Sequence, residues 1–175
     1  MTSNFKFNFA SIITTFFGVG NIKFAPGTFG SLATIPLFFL INYCIVKAGI
    51  DKNYFFVLGV YLFDLIVLFL LAMWSITVYI NVNKKDDPSE CVIDEVIGQL
   101  IAYIIPILVS FETTALSNFI FILFPFFLFR FFDIKKPSLV GYFDKNFHNA
   151  FGIIMDDVIA GIYSGVCVAV LLKIV

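Results

Sequence analysis

Long apolar runs separated by short polar clusters set the pattern of this chain. A membrane-crossing helix needs about 20 mainly apolar residues. Runs of that kind extend from about Leu32 to Ile50 and from about Tyr54 to Ile80. A third starts near Val96, carries Pro106 and ends by about Phe111, which is short for a span. A fourth covers about Ala115 to Phe132, and a fifth about Gly152 to Val175. Ahead of them, Phe5 to Phe17 mixes apolar residues with Lys6, Asn8, Ser11 and Thr14, the pattern of a helix lying in the membrane interface. No repeat, linker or low-complexity tract divides these pieces. The expected fold is all-α: one polytopic membrane helical bundle over residues 1–175, with about five membrane-crossing helices plus an N-terminal interfacial helix.

Composition strengthens the membrane reading. The 175 residues are 61% hydrophobic and only 13% charged, against about 25% charged in soluble domains. Mean hydropathy is +1.01, and a chain of this size cannot bury so much apolar surface within itself, so lipid must cover the rest. The 25 phenylalanines suit the acyl region and need no cofactor to explain them. A net charge of −1 gives no case for nucleic acid or a polybasic anchor. Cys44, Cys91 and Cys167 form no CxxC pair and no Cys/His cluster, so neither a disulfide nor zinc is expected. Met1 to Phe9 lack the features of a removable signal peptide.

Charge then orients the bundle. Five spans put Lys6, Lys23, Lys84, Lys85, Arg130, Lys135, Lys136 and Lys145 on one face, and only Lys47, Lys52 and Lys173 on the other, with the turns near Asp51 and Glu112. The excess of basic residues places the loop-rich face in the cytoplasm. Asp86, Asp87, Glu90, Asp94, Glu95, Asp133, Asp144, Asp156 and Asp157 gather on the same side. Several sit at the mouths of apolar runs: Asp94 and Glu95 before the third, Asp133 at the end of the fourth, Asp156 and Asp157 inside the start of the fifth. A carboxylate is costly near hydrocarbon, and a helix C-terminus is the wrong end for an anion such as Asp133. Carboxylates converging there would repel one another unless a cation sat among them, and hard oxygen donors select Mg²⁺, Ca²⁺ or Mn²⁺.

Cations stand beside these acids. Arg130 and Asp133 share a helix face at i, i+3, and Lys136 follows, with Pro137 stopping the helix. Arg offers a planar fork for phosphate oxygens and Lys a point charge. Lys23 to Ser31 reads as a Gly/Thr/Ser loop entering the first span, where backbone amides can hold an anion. His148 reads as a solvated loop residue, and Asp64, alone in mid-span, as a packing residue bonded to a neighbouring helix.

Four motifs occur in order: APGTFGSL (Ala25–Leu32), IDEVIGQ (Ile93–Gln99), FRFFDIKKP (Phe129–Pro137) and FDKNFHNAFGIIMDDVIAG (Phe143–Gly161). The series resembles the phosphatidylglycerophosphatase A family, magnesium-dependent membrane phosphatases that convert phosphatidylglycerol phosphate to phosphatidylglycerol. The resemblance covers Gly18 to Gly165. It departs where Ser138 and Leu139 follow the Lys-Pro pair in place of Trp and Pro, and where Ile93 replaces an aromatic residue. It implies Asp94, Glu95, Asp133, Asp156 and Asp157 as catalytic residues, with Glu95, Asp133, Asp156 and Asp157 holding Mg²⁺. Arg130, Lys136, Gly27, Thr28 and Ser31 would bind phosphate. The implied setting is the bacterial cytoplasmic (inner) membrane, with the active site facing the cytoplasm and a membrane phospholipid as substrate. Attack by water and an aspartyl-phosphate route both stay open. Two alternatives accompany this expectation: another metal-dependent lipid head-group enzyme, or a transporter or channel subunit with an acidic vestibule.

Overall fold

A computed structural model describes residues 2–85, 88–110 and 119–174, and every regular element among them is helical. The order is α1 (Thr2–Thr14), a 3-10 turn (Val19–Asn21), α2 (Pro26–Lys47), α3 (Tyr54–Asn83), α4 (Ile93–Ser110), α5 (Phe119–Lys135), α6 (Leu139–Asn146) and α7 (Ala150–Ile174). Local chemistry sets the starts. Pro26 opens α2, where its missing N–H costs nothing. The Asn53 side chain accepts from the backbone N–H of Phe55 at 3.1 Å and caps α3. Asp94 and Glu95 fill the first turn of α4, the positive end of its dipole.

The core is built around α4. It packs most heavily on α7 and also meets α2, α3 and α5. Val92, Ile93, Val96, Ile97, Leu100, Tyr103, Ile104 and Ile107 are all buried. The α4–α7 contact is backbone to backbone: a Cβ on Gly161 would overlap the carbonyl oxygen of Gly98. Small residues let membrane helices approach this closely. Pro125 interrupts α5, and its carbonyl accepts from Ser164 Oγ on α7 at 2.9 Å, which ties the two helices together.

Among the described residues, three helices are long and apolar enough to cross a membrane: α2, α3 and α7. Of the five expected spans, α4 has 18 residues and α5 has 17 described residues. At about 1.5 Å per residue, 18 residues reach roughly 27 Å, just short of a hydrocarbon core of about 30 Å. Protein, not lipid, covers most of α4. The expected limits at Phe111 and Ala115, together with Asp86, Asp87 and Glu112, lie outside the described residues. The N-terminal helix packs on α3, with the Phe7 and Tyr79 rings stacked at 5.8 Å and Phe9 beside Trp74 at 5.9 Å.

One local expectation is corrected. The segment holding Gly27, Thr28 and Ser31 is not a loop but the opening turns of α2. Its glycines serve close approach: a Cβ on Gly27 would overlap Glu95 Oε1, and one on Gly30 would come within 2.8 Å of Val92 Cβ. Between α5 and α7 the chain forms the short helix α6.

Candidate active site

The starts of α2, α4 and α7 and the end of α5 converge at one end of the bundle, around a cavity of about 650 Å³. Asp94, Glu95, Asp133, Asp156 and Asp157 all line it, as do Arg130, Lys136 and Gly27. Thr28 and Ser31 do not. Ser31 is fully buried; its Oγ donates to the Gly27 carbonyl at 2.9 Å and accepts from Arg130 Nη1 at 3.4 Å. It therefore steadies the guanidinium from behind. Asp64 lies half-buried in α3, away from the cavity, while its neighbour Tyr61 donates to Asn42 Oδ1 at 2.6 Å.

The two cations are already engaged. Arg130 Nη1 stands 2.6 Å from Asp133 Oδ2, one turn apart on α5. Lys136 Nζ pairs with Asp144 on α6 and lies 3.0 Å from Asp156 Oδ2 on α7. Burial alone lowers the lysine pKa, but the contacts with Asp144 and Asp156 outweigh it and hold Lys136 above its ordinary range. The turn delivering Lys136 is strained: Lys136 at φ 46° and Ser138 at φ 49° flank Pro137, both in a region costly for residues with a Cβ. That turn folds the chain back so that α6 closes over the cavity edge.

The remaining carboxylates sit against one another. One oxygen from each of Asp94, Glu95 and Asp157 lies within 4.8 Å of the other two. Asp94 and Asp157 are buried, and Glu95 Oε2 is buried with no hydrogen-bond partner. Three convergent hard oxygens with an orphaned acceptor fit a hard divalent cation such as Mg²⁺. Asp133 and Asp156, also expected as metal ligands, stand beside Arg130 and Lys136 and line the same cavity.

Sequence reasoning did not assign the outer edge of the cavity to the site. Asp144, Lys145 and His148 line it, with His148 exposed. A signal for Asp144 was present, since it stands eight residues after Lys136 beyond the Pro137 break. Without α6, that spacing carried no contact.

The family model for phosphatidylglycerophosphatase A matches residues 12–172. The chain belongs to the phosphatidylglycerophosphatase A family. A Haemophilus influenzae protein named phosphatidylglycerophosphatase A is 38% identical over 154 residues, 87% of this chain and 82% of that protein. An Escherichia coli protein of the same name is 31% identical over 153 residues, 85% and 74% of the two chains. A provisionally named phosphatidylinositol-3-phosphatase of Bacteroides thetaiotaomicron is 35% identical over 169 residues, 91% of each chain. No solved structure gives a significant match. The phosphatidylglycerophosphatase A match spans every helix that lines the cavity.

Proposed function

We propose that this chain hydrolyses the terminal phosphate monoester of phosphatidylglycerol phosphate, giving phosphatidylglycerol and inorganic phosphate, with Mg²⁺ as cofactor. Membership of a family of phosphatases supports the reaction class, and the two relatives named phosphatidylglycerophosphatase A support the substrate. One observation carries the chemistry: a carboxylate trio and two cations face a single cavity at one end of a bundle of apolar helices. The excess of basic residues on that end favours the cytoplasmic face of a bacterial inner membrane, crossed several times by the chain.

Asp94, Glu95 and Asp157 would hold the metal, whose bound form polarises phosphoryl oxygens and offsets the carboxylate charge. Arg130, fixed by Asp133 and Ser31, presents its guanidinium to the phosphoryl group. Lys136, fixed by Asp144 and Asp156, adds a second positive charge where negative charge grows in the transition state. Preorganisation by these pairs means neither cation must be ordered during the reaction. A carboxylate at the cavity wall takes the proton of attacking water while the P–O bond to the glycerol breaks and the alkoxide leaves with a proton from solvent. Alternatively it attacks phosphorus itself, expelling the same alkoxide, and water then hydrolyses the acyl phosphate to release inorganic phosphate. The Bacteroides relative favours a second reading, a phosphoinositide monoester on the same site.

The test is phosphate release by the detergent-purified chain from phosphatidylglycerol phosphate and from phosphatidylinositol 3-phosphate, with Mg²⁺ and with EDTA. Metal-dependent release from the first lipid is expected, and preference for the second would move the substrate. No release from either by folded protein would sink the phosphatase reading.

A further inference from the structure

The cavity and the lipid-facing surface of the bundle meet at Ile134. This side chain lines the cavity and is 66% exposed; among the described residues, no other exposed large hydrophobic side chain lines it. Ile134 ends a stripe along α5. Phe124, Phe127, Phe131 and Ile134 are all exposed, at successive steps of three, four and three residues, which places them on one helix face. Arg130 and Asp133 lie on the adjoining face of the same turns and line the cavity. Lys135 and Lys136 follow at the end of the stripe. At about 1.5 Å per residue, the stripe covers roughly 15 Å, about half the hydrocarbon thickness. An apolar track thus runs from bilayer depth to the phosphate-facing cations without a polar break.

We propose that this stripe is the acyl-chain site for the lipid substrate. The chains of a phosphomonoester lipid lie along Phe124, Phe127 and Phe131 while the head group passes over Ile134. The phosphoryl group then reaches Arg130 and the carboxylates without the chains leaving the bilayer. This rests on the phosphatase reading and adds to it a path of entry. Other exposed apolar surface, such as Phe55, Phe56 and Phe63 on α3, belongs to side chains that do not line the cavity and fits ordinary covering lipid.

The experiment is photolabelling of the full chain in phosphatidylcholine vesicles containing EDTA, so that turnover is suppressed. Two probes carry the same acyl-chain diazirine, one on phosphatidylglycerol phosphate and one on phosphatidylcholine. The phosphomonoester probe is expected to label the α5 segment from Phe124 to Ile134 several-fold more than the phosphatidylcholine probe. The α3 segment from Phe55 to Phe63 should take both equally. Equal labelling of α5 by both probes would mean ordinary covering lipid and overturn the proposal. A second measurement compares kcat/KM for vesicle-borne phosphatidylglycerol phosphate with that for its deacylated head group. In the Phe127→Ala/Phe131→Ala variant the ratio should fall several-fold; a wild-type ratio would overturn the track. Failure of the phosphatase reading looks different, because wild type would then release no phosphate while the labelling still reports on α5.

Discussion

The two halves of the cavity solve the problem of charge beside an apolar bundle in different ways. Around α5 and α6 each acid has a cation: Asp133 has Arg130 at 2.6 Å, and Asp144 shares Lys136 with Asp156, which reaches over from α7. On the α4–α7 side, Asp94, Glu95 and Asp157 crowd within 4.8 Å of one another, and Glu95 Oε2 has no hydrogen-bond partner. Two unit charges about 5 Å apart repel by roughly 3 kcal/mol at an effective dielectric near 20. The first half is compensated by its own side chains. The second places like charges close together, and under the Mg²⁺ reading proposed above it is the half whose stability should answer to added metal.

Removing a charge should therefore act with opposite sign in the two halves. Asp157→Asn should abolish turnover, because it removes a ligand of the proposed cation, yet raise the melting temperature in EDTA by relieving repulsion. It should also weaken the stabilisation that wild type gains from Mg²⁺. Phosphate release and thermal unfolding, each with and without Mg²⁺, check this. A lower melting temperature in EDTA would show that the trio is not under like-charge stress.

Arg130→Ala is the counterpart. It leaves Asp133 beside the bundle without its cation, and stranding a partly buried charged acceptor costs about 1–3 kcal/mol. Activity and metal-free stability should both fall. Arg130→Lys should restore the charge and part of the stability, but less of the activity: Nη1 alone meets both Asp133 and Ser31, and an ammonium lacks the rest of the planar fork that suits phosphoryl oxygens. Full activity in Arg130→Lys would reduce the role of Arg130 to charge alone.

Gly27→Ala probes the seam between the halves. The new Cβ would overlap Glu95 Oε1 and lie 3.2 Å from Arg130 Nη1. The carboxylate has to move, and displacement of this kind costs about a hundredfold in rate. Overpacking itself costs about 1–3 kcal/mol. The informative readout is metal affinity, which should weaken along with kcat; a loss of stability alone would mean that Gly27 serves only helix packing.

These contrasts also mark what could be read from the chain. The apolar runs around Leu32–Ile50, Tyr54–Ile80 and Gly152–Val175 were legible because a span leaves a long unbroken signature, and α2, α3 and α7 follow them closely. The third run was legible as apolar, but hydropathy cannot say whether lipid or protein covers a helix, and α4 proved to be the covered one. Gly27 and Gly30 looked like loop residues because closeness to Glu95 and Val92 leaves no local trace. The acids of the site could be found from their cost at the mouths of apolar helices. Their division into a paired set and a crowded set could not, since it depends on α6 folding back after the strained turn at Lys136 and Ser138.

Ser31→Ala should give the smallest effect, and it tests how far preorganisation extends behind the cavity wall. Ser31 does not line the cavity; it touches the site from behind, through Arg130 Nη1 at 3.4 Å and through the Gly27 carbonyl at 2.9 Å. A single hydrogen bond of this kind contributes about 1 kcal/mol, which corresponds to roughly a fivefold effect. The loss should appear in kcat/KM, with metal affinity and the melting temperature in EDTA close to wild type, because Asp133 still holds the guanidinium. Ser31→Thr keeps the hydroxyl but adds a methyl at a fully buried position, so it separates the hydrogen bond from the space around it. If alanine is silent and threonine is damaging, Ser31 is there because it is small, and the orientation of Arg130 rests on Asp133 alone.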